Sequence, residues 1–165
     1  MKPVDVLILI GSKSDVPIMQ GAVDVLKELG VSHEMTVASA HRSPDRVRRL
    51  IAEAPGRGVR VFIVGAGAAA HLAGVVAAHV ISPVIGVPID SSPLKGLDAL
   101  LSTVQMPPGV PVATVSLGKA GATNAGVLAA QMLAISDPLL AERVQAYKNR
   151  LAEKVEEAAR EMQDS

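Results

Sequence analysis

The adjacent residues His41 and Arg42 combine a group that can carry protons with a group that can hold phosphate. An imidazole exchanges protons near neutral pH, and a guanidinium binds a phosphate through two parallel hydrogen bonds. The next segment, Ser43-Pro44-Asp45, is typical of a helix N-terminus, where free N–H groups favour an anion. In isolation such a pair is more often two solvated loop residues, so its significance depends on where the fold places it.

The segment 11–15, GSKSD, is a second candidate for anion binding. It is predicted to turn directly into a helix, and Ser12 and Ser14 add hydroxyl donors to the free N–H groups of that helix. Asp15 is a poor phosphate ligand, but it can accept hydrogen bonds from sugar hydroxyls. Because Asp is also a common N-cap, a purely capping role for Asp15 is an equal alternative.

The small-residue segment 65–70, GAGAAA, follows a predicted strand and opens a predicted helix. This arrangement is similar to the glycine-rich fingerprint of dinucleotide-binding proteins, with Asp90 at the end of the next strand as the ribose ligand. The alternative function is therefore dinucleotide binding by Gly65, Gly67, Ala70 and Asp90. Against it, the glycines stand in the third strand–helix unit, and 165 residues leave no room for a separate substrate domain.

The chain alternates between apolar runs and amphipathic stretches. Apolar runs such as residues 4–10 predict strands that are buried on both faces. Five successive strand–helix units predict an α/β fold, a three-layer α/β/α sandwich with a parallel sheet, and its size favours the flavodoxin-like strand order 2-1-3-4-5. The predicted strands are 4–10, 34–38, 60–64, 83–89 and 110–115, and the predicted helices are 15–29, one from 43 onwards, 69–80, 94–104 and 123–135.

The loops that follow the predicted strands differ in character from those at the opposite end of the sheet. Open parallel sheets bind ligands at the carboxyl ends of their strands. The opposite loop 55–58 has the composition of an ordinary turn. We therefore predict a ligand site at the carboxyl edge, where the loops are rich in small and polar residues at 11–15, 39–43, 65–71, 90–95 and 116–119.

The C-terminal part of the chain is richer in charge than the rest. We predict one domain, with an α/β catalytic part over residues 1–137 and a long helix within 138–165 that belongs to it. A helix of this length would overhang a small sandwich, so we expect its apolar stripe to contact another subunit. The alternative is that the stripe packs on the subunit's own sheet layer. The stripe comprises Leu140, Val144, Tyr147, Leu151, Val155, Ala158 and Met162.

The composition excludes several classes of protein. Sixteen Lys and Arg balance sixteen Asp and Glu, and the chain has one Phe, one Tyr and no Trp, so we expect no nucleic-acid partner. The absence of Cys excludes disulfides and thiol nucleophiles. Pro and Gly interrupt the uncharged stretch 61–89, which argues against a membrane span, and the first residues lack a signal-peptide pattern. We expect a cytoplasmic protein.

At these same loops the chain resembles the N5-carboxyaminoimidazole ribonucleotide mutases, the catalytic subunits of the bacterial purine-pathway carboxylase. The resemblance spans residues 6–135, and AAHL at 69–72 favours the mutases over related carboxylases that use free carbon dioxide. Two positions depart from the family pattern, with Ala68 where Gly is usual and Ala73 where Pro is usual. The matching motifs are GSKSD at 11–15, SAHR at 39–42, GAG at 65–67, AHL at 70–72, VQMP at 104–107, GVPV at 109–112, and GKAGA at 118–122 with Asn124.

This resemblance implies an isomerase that moves a carboxylate from the exocyclic nitrogen to the ring carbon of an aminoimidazole ribonucleotide, without a metal or other cofactor. It implies His41 as the general acid and base, and Asp15 as a ribose ligand. Phosphate would be held by Arg42 with two serines, and the backbone of 65–69 would line a dry pocket for carbon dioxide. The family assembles as homo-octamers. The expected substrate contacts are Ser12, Ser14, Asp15, Ser39, Arg42, Gly65, Ala66, Gly67, Ala68, His71 and Leu72, with His71 expected in a supporting position.

Overall fold

A five-stranded parallel sheet forms the centre of the protein in the computed structural model, which describes residues 3–163. The strand order is β2-β1-β3-β4-β5, so the predicted flavodoxin-like order is confirmed. In the register, Ile10 at the end of β1 lies between Val37 of β2 and Gly65 of β3, so these three strands end at one edge. The strands are β1 (Val6–Ile10), β2 (His33–Val37), β3 (Val61–Gly67), β4 (Val84–Ile89) and β5 (Ala113–Thr114).

Within residues 3–163, six α-helices connect or follow the strands, and they cover both faces of the sheet. Some helix boundaries follow local signals, such as Pro44 in the first turn of α2 and Gly30, at a φ of 69°, just after α1. The helices are α1 (Val16–Glu28), α2 (Pro44–Glu53), α3 (Leu72–Ala77), α4 (Leu97–Val104), α5 (Gly118–Ala134) and α6 (Pro138–Gln163).

The sheet has a separate hydrophobic core on each face, because successive side chains of a strand point to opposite sides. Ile8 and Ile10 of β1 pack in a core with α1, α5 and α6. Leu7 and Leu9 of the same strand pack on the other face with α2, α3 and α4. All five residues of β1 are buried, as the apolar run predicts, and the three-layer α/β/α prediction is confirmed.

Most elements differ from the sequence-based prediction at one end or both; β3, for example, runs on to Gly67, and α4 begins at Leu97 instead of residue 94. The differences at three elements have an identifiable local cause. Helix α3 starts at Leu72 instead of residue 69, because the loop before it includes Ala68 in a left-handed conformation with φ of 52°. Helix α5 starts at Gly118, five residues early, because a side chain at Gly121 would collide with the carbonyl of Ser116 and the glycine permits this close approach. Strand β5 has only two residues; Pro111, which cannot donate a ladder hydrogen bond, lies just before it.

Helix α6 divides into a part that packs on its own subunit and a part that does not. Leu140 is 3% exposed and Val144 is 7% exposed, and both belong to the core under α1 and α5. Val155 is 67% exposed and Met162 is 82% exposed. The first turns of α6 therefore pack on the sheet layer of their own subunit, which was the alternative prediction. The outer turns of α6 project from the sandwich. Residues 1, 2, 164 and 165 of the predicted domain lie outside the described residues.

The uncharged stretch 61–89 forms β3, α3 and β4. Within residues 3–163, no helix combines the length and the hydropathy needed to cross a bilayer.

Candidate functional site

A cleft of about 300 Å³ opens at the carboxyl edge of the sheet, where the sequence predicts a ligand site. Its walls come from the loops after β1, β2, β3 and β4. The structure brings most of the predicted site residues together here, with a few neighbours that were not predicted as contacts. The lining residues are Gly11, Ser12, Ser14, Asp15, Ser39, Ala40, His41, Arg42, Ala66, Gly67, Ala69, His71, Leu72 and Ser91.

The turn after β1 is held by a reciprocal capping arrangement. The N–H of Ser12 donates to Oδ2 of Asp15 at 3.0 Å, and the N–H of Ser14 donates to Oγ of Ser12. Asp15 is 5% exposed. Desolvation raises the pKa of the Asp15 carboxyl above its ordinary value of 3.8, while the bonds from Ser12 and Ser14 and the charge of Arg42 partly oppose the rise. Asp15 thus stands at the N-cap position of α1 but makes no side-chain capping bond to that helix; its carboxylate holds the turn through Ser12 and borders the cleft.

The loop after β2 is organised by two serines. The N–H of Arg42 donates to Oγ of Ser39 at 3.1 Å, and the N–H of Ser39 donates to Oγ of Ser43 at 3.1 Å. Ser43 occupies the N-cap position of α2 as predicted, but its hydroxyl bonds Ser39 and makes no capping bond to the helix. The N-terminal N–H groups of α2 thus receive no side-chain cap from Ser43.

Arg42 joins the first two loops of the cleft. Its Nη2 donates to the carbonyl oxygen of Gly11 at 3.2 Å, although the residues are 31 positions apart in the chain. The rest of the guanidinium is exposed beside Ser12 and Ser39 in the cleft wall. Three donor groups, two hydroxyls and one guanidinium, therefore surround the same part of the cleft and suit a phosphate.

His41 and His71 contact each other across the cleft. Nε2 of His41 lies 2.8 Å from Nδ1 of His71, and the rings meet edge to face with centroids 4.9 Å apart. The sequence predicts a supporting position for His71, and in the structure it is a direct hydrogen-bond partner of the proposed acid and base. Both side chains also reach open space in the cleft.

The loop after β3 contributes only part of what the sequence predicts for it. Ala66, Gly67 and Leu72 line the cleft. Gly65 does not, because a Cβ there would lie 2.6 Å from the sulfur of Met19, on the face covered by α1. Ala68 also lies outside the lining, in its left-handed conformation. Gly65 and Ala68 thus shape the loop without forming the wall.

Ser91 is the cleft residue that the sequence analysis most clearly missed as a contact. It follows β4, and a side chain on Gly67 would collide with its hydroxyl. The sequence analysis does place the loop 90–95 at the carboxyl edge of the sheet. That placement is the signal from which Ser91 could have been predicted as a contact. Gly11 and Ala40 are the other wall residues that were not predicted, because a hydrogen and a methyl group carry no chemical signature. Ala69 belongs to the backbone segment 65–69 that was expected to line the pocket, and it does border the cleft.

The features required for dinucleotide binding are not assembled. The helix after the glycine segment has six residues, and it begins only at Leu72. Gly65 faces the core, and Asp90 is absent from the cleft lining and instead packs beside Gly96. Among residues 3–163, no three His, Asp or Glu side chains converge to hold a metal ion.

Comparison with known proteins agrees with this geometry. The family model described as AIR carboxylase matches residues 5–154. The chain belongs to the AIR carboxylase family. A relative named N5-carboxyaminoimidazole ribonucleotide mutase from Thermotoga maritima is 49% identical over 156 residues, covering 94% of this chain and 90% of the relative. A Bacillus subtilis protein of the same name is 55% identical over 137 residues, covering 83% and 85%.

Solved structures of this family share the fold of the chain. A crystal structure of a variant of Treponema denticola PurE2 has a TM-score of 0.87 and 28% identity, and 98% of each chain is covered. A second, described as Treponema denticola PurE, has a TM-score of 0.85 and 29% identity, with 94% of this chain and 96% of the other covered. The resemblance identified from the motifs, and the enzyme class that it implies, are confirmed by these relatives.

Proposed function

We propose that this AIR carboxylase family enzyme converts N5-carboxyaminoimidazole ribonucleotide into 4-carboxyaminoimidazole ribonucleotide. The single observation that carries the proposal is the meeting of His41 with His71 in a cleft whose other walls supply phosphate donors. The names of the relatives support the same substrate. Dinucleotide binding is disfavoured, because Gly65 and Asp90 do not border the cleft.

The substrate is anchored at its phosphate and ribose. Arg42, Ser12 and Ser39 offer positively charged and hydroxyl donors on two adjacent loops. Asp15 offers a carboxylate to the ribose hydroxyls through the oxygen lone pairs that its capping bonds leave free. These anchors direct the imidazole ring of the substrate toward the loop after β3 and toward His41.

The reaction exchanges one carbon–nitrogen bond for one carbon–carbon bond. The bond from the exocyclic nitrogen to the carboxylate breaks, the electron pair returns to nitrogen, and His41 supplies the proton that nitrogen gains. The ring carbon then attacks the retained carbon dioxide, and His41 removes the proton which that carbon loses, so the proton count closes. The small residues Ala66, Gly67 and Ala69 form an apolar wall against which carbon dioxide is held away from water.

We also propose that the enzyme works as a homo-oligomer, an octamer in keeping with the family resemblance, and that it is cytoplasmic. The exposed apolar residues Leu151, Val155 and Met162 on the outer turns of α6 support an interface between subunits. The cytoplasmic location rests on the role of the family in purine synthesis.

A turnover assay with the carboxyamino substrate tests the proposal. Absorbance or proton NMR follows the conversion in the absence of ATP. We expect the same rate of conversion with and without a metal chelator. A strict requirement for ATP or metal would overturn the cofactor-free mechanism. Binding of the ribonucleotide without any conversion would instead identify a binding protein.

A further inference from the structure

The loop between β3 and α3 carries two cleft residues, yet it has few attachments of its own. Ala69 and His71 border the cleft, and the N–H of His71 bonds within the loop to the carbonyl of Ala69. Ala68 holds a left-handed conformation with φ of 52°, which is strained for a residue with a side chain. Something outside the loop must therefore hold it in this shape.

Ser102 of α4 supplies that attachment. Its Oγ accepts a hydrogen bond from the N–H of Ala70 at 3.0 Å, across 32 positions of sequence. Its hydroxyl donates to the carbonyl oxygen of Asp98 in the same helix, with 2.7 Å between the two oxygens, which leaves lone pairs of Oγ free to accept from Ala70. The hydroxyl also lies 3.4 Å from the carbonyl oxygen of Ala68. Within residues 3–163, Ser102 is the one residue distant in sequence that hydrogen-bonds the backbone of 68–71.

We propose that Ser102 is a positioning residue for the reaction, acting on His71 through the backbone of Ala70. The inference rests on the proposed function. Ala70 directly precedes His71, and His71 bonds Nε2 of His41, so the serine controls where the imidazole pair stands in the cleft. Ser102 itself does not line the cleft and touches no phosphate donor.

The adjacent Thr103 provides a matched control. Its Oγ1 donates to the carbonyl of Ala99 at 2.7 Å, one turn back in the same helix, as Ser102 does to Asp98. It makes no bond to the loop. Ser102→Ala and Thr103→Val therefore both remove an intrahelical hydroxyl bond, and only Ser102→Ala removes the attachment of Ala70.

The experiment measures kcat, the affinity for the product ribonucleotide, and deuterium uptake of peptides spanning 68–72. We expect Ser102→Ala to lower kcat by about 10- to 100-fold and to speed exchange in that loop, with little change in affinity, because the phosphate anchors lie on other loops. Thr103→Val should keep both the kcat and the exchange rate of the wild type. Ser102→Thr, which keeps the hydroxyl, should retain kcat, since Thr can make the same helical back-bond.

The outcomes separate the two proposals. An inactive wild-type enzyme would overturn the proposed function. An active wild type in which Ser102→Ala and Thr103→Val behave alike, or in which Ser102→Thr loses as much turnover as Ser102→Ala, would overturn the role of Ser102. If Ser102→Ala does not fold, Ser102→Cys replaces it, because its sulfur is only a weak acceptor for the N–H of Ala70. Wild-type kcat and wild-type loop exchange in Ser102→Cys would overturn the role of Ser102.

Discussion

Nε2 of His41 lies 2.8 Å from Nδ1 of His71, two residues that are 30 positions apart and belong to different strand–helix loops. When both rings are neutral, one of these nitrogens donates the hydrogen bond and the other accepts it. The tautomer of one imidazole therefore determines that of the other. A single proton bridges the two rings in the wall of the cleft.

Replacing His41 should remove the group that carries the proton and keep the shape of the cleft intact. We expect His41→Asn to fold and bind the ribonucleotide, because Asn is close to His in size and retains hydrogen-bonding atoms, while turnover falls by roughly 10²–10⁴. His71→Asn should lose less, since its amide can still pair with His41. Steady-state kinetics and product binding on both variants check this. A larger loss for His71→Asn would make His71 the acid and base, and two active variants would remove both from the mechanism.

Replacing Arg42 should weaken binding of the phosphate. A charge-assisted hydrogen bond contributes about 1.5–3 kcal/mol, so we expect Arg42→Ala to raise the dissociation constant by roughly 10- to 100-fold. The wild type should prefer the nucleotide to its dephosphorylated nucleoside, and the variant should lose most of that preference. Calorimetric titration measures both. Arg48→Ala is the control, because Arg48 pairs with Asp45 on the exposed face of α2. Equal wild-type affinities for nucleotide and nucleoside would contradict the assignment.

The buried carboxyl of Asp15 should make the free energy of unfolding depend on the pH of the solution. Its pKa is raised in the folded state, chiefly by desolvation, so folding favours the protonated form. The free energy of unfolding then falls as the pH rises from the unfolded pKa through the folded one. We expect the wild type to gain stability relative to Asp15→Asn as the pH is lowered through that range. Urea unfolding at a series of pH values tests this, and a constant difference between the proteins would refute it.

Replacing Ala68 with glycine should stabilise the folded protein. Relief of the left-handed conformation is worth about 1–3 kcal/mol, and the added chain entropy of glycine offsets about 0.5–1 kcal/mol of it. We expect Ala68→Gly to raise the free energy of unfolding by on the order of 1 kcal/mol. Ala69→Gly is the control and should lower it, because Ala69 does not have a positive φ. Thermal and urea unfolding give the comparison, and destabilisation by Ala68→Gly would show that its conformation is not strained.

The outer turns of α6 should be necessary for assembly. Val155→Glu places a charge on the exposed apolar stripe, and we expect smaller particles in sedimentation or native mass spectrometry. Asn149→Glu adds the same charge on a different side of the helix and should leave the assembly intact. Unchanged assembly in Val155→Glu would exclude this stripe as the interface.

Much of this enzyme could be predicted from local patterns in the sequence. The apolar run of β1 and the alternation of strands with amphipathic helices predicted the sandwich, because burial on both faces and right-handed crossovers leave few arrangements. The same topology placed the loops with His41, Arg42 and Ser12 at one edge. The motifs on these loops also predicted the family, since several of them match the family pattern in the same order along the chain.

Only the tertiary structure decided which of those residues meet. The contact of His41 with His71 and the hydrogen bond between Ser102 and Ala70 join segments that are distant in the sequence. Both depend on how the helices pack against the sheet. Gly65 turned toward Met19 because successive positions of a strand face opposite layers, and packing determines which layer borders the cleft. The division of α6 at about Tyr147 likewise follows from where the sandwich beneath it ends, a distance that the periodic apolar stripe does not encode.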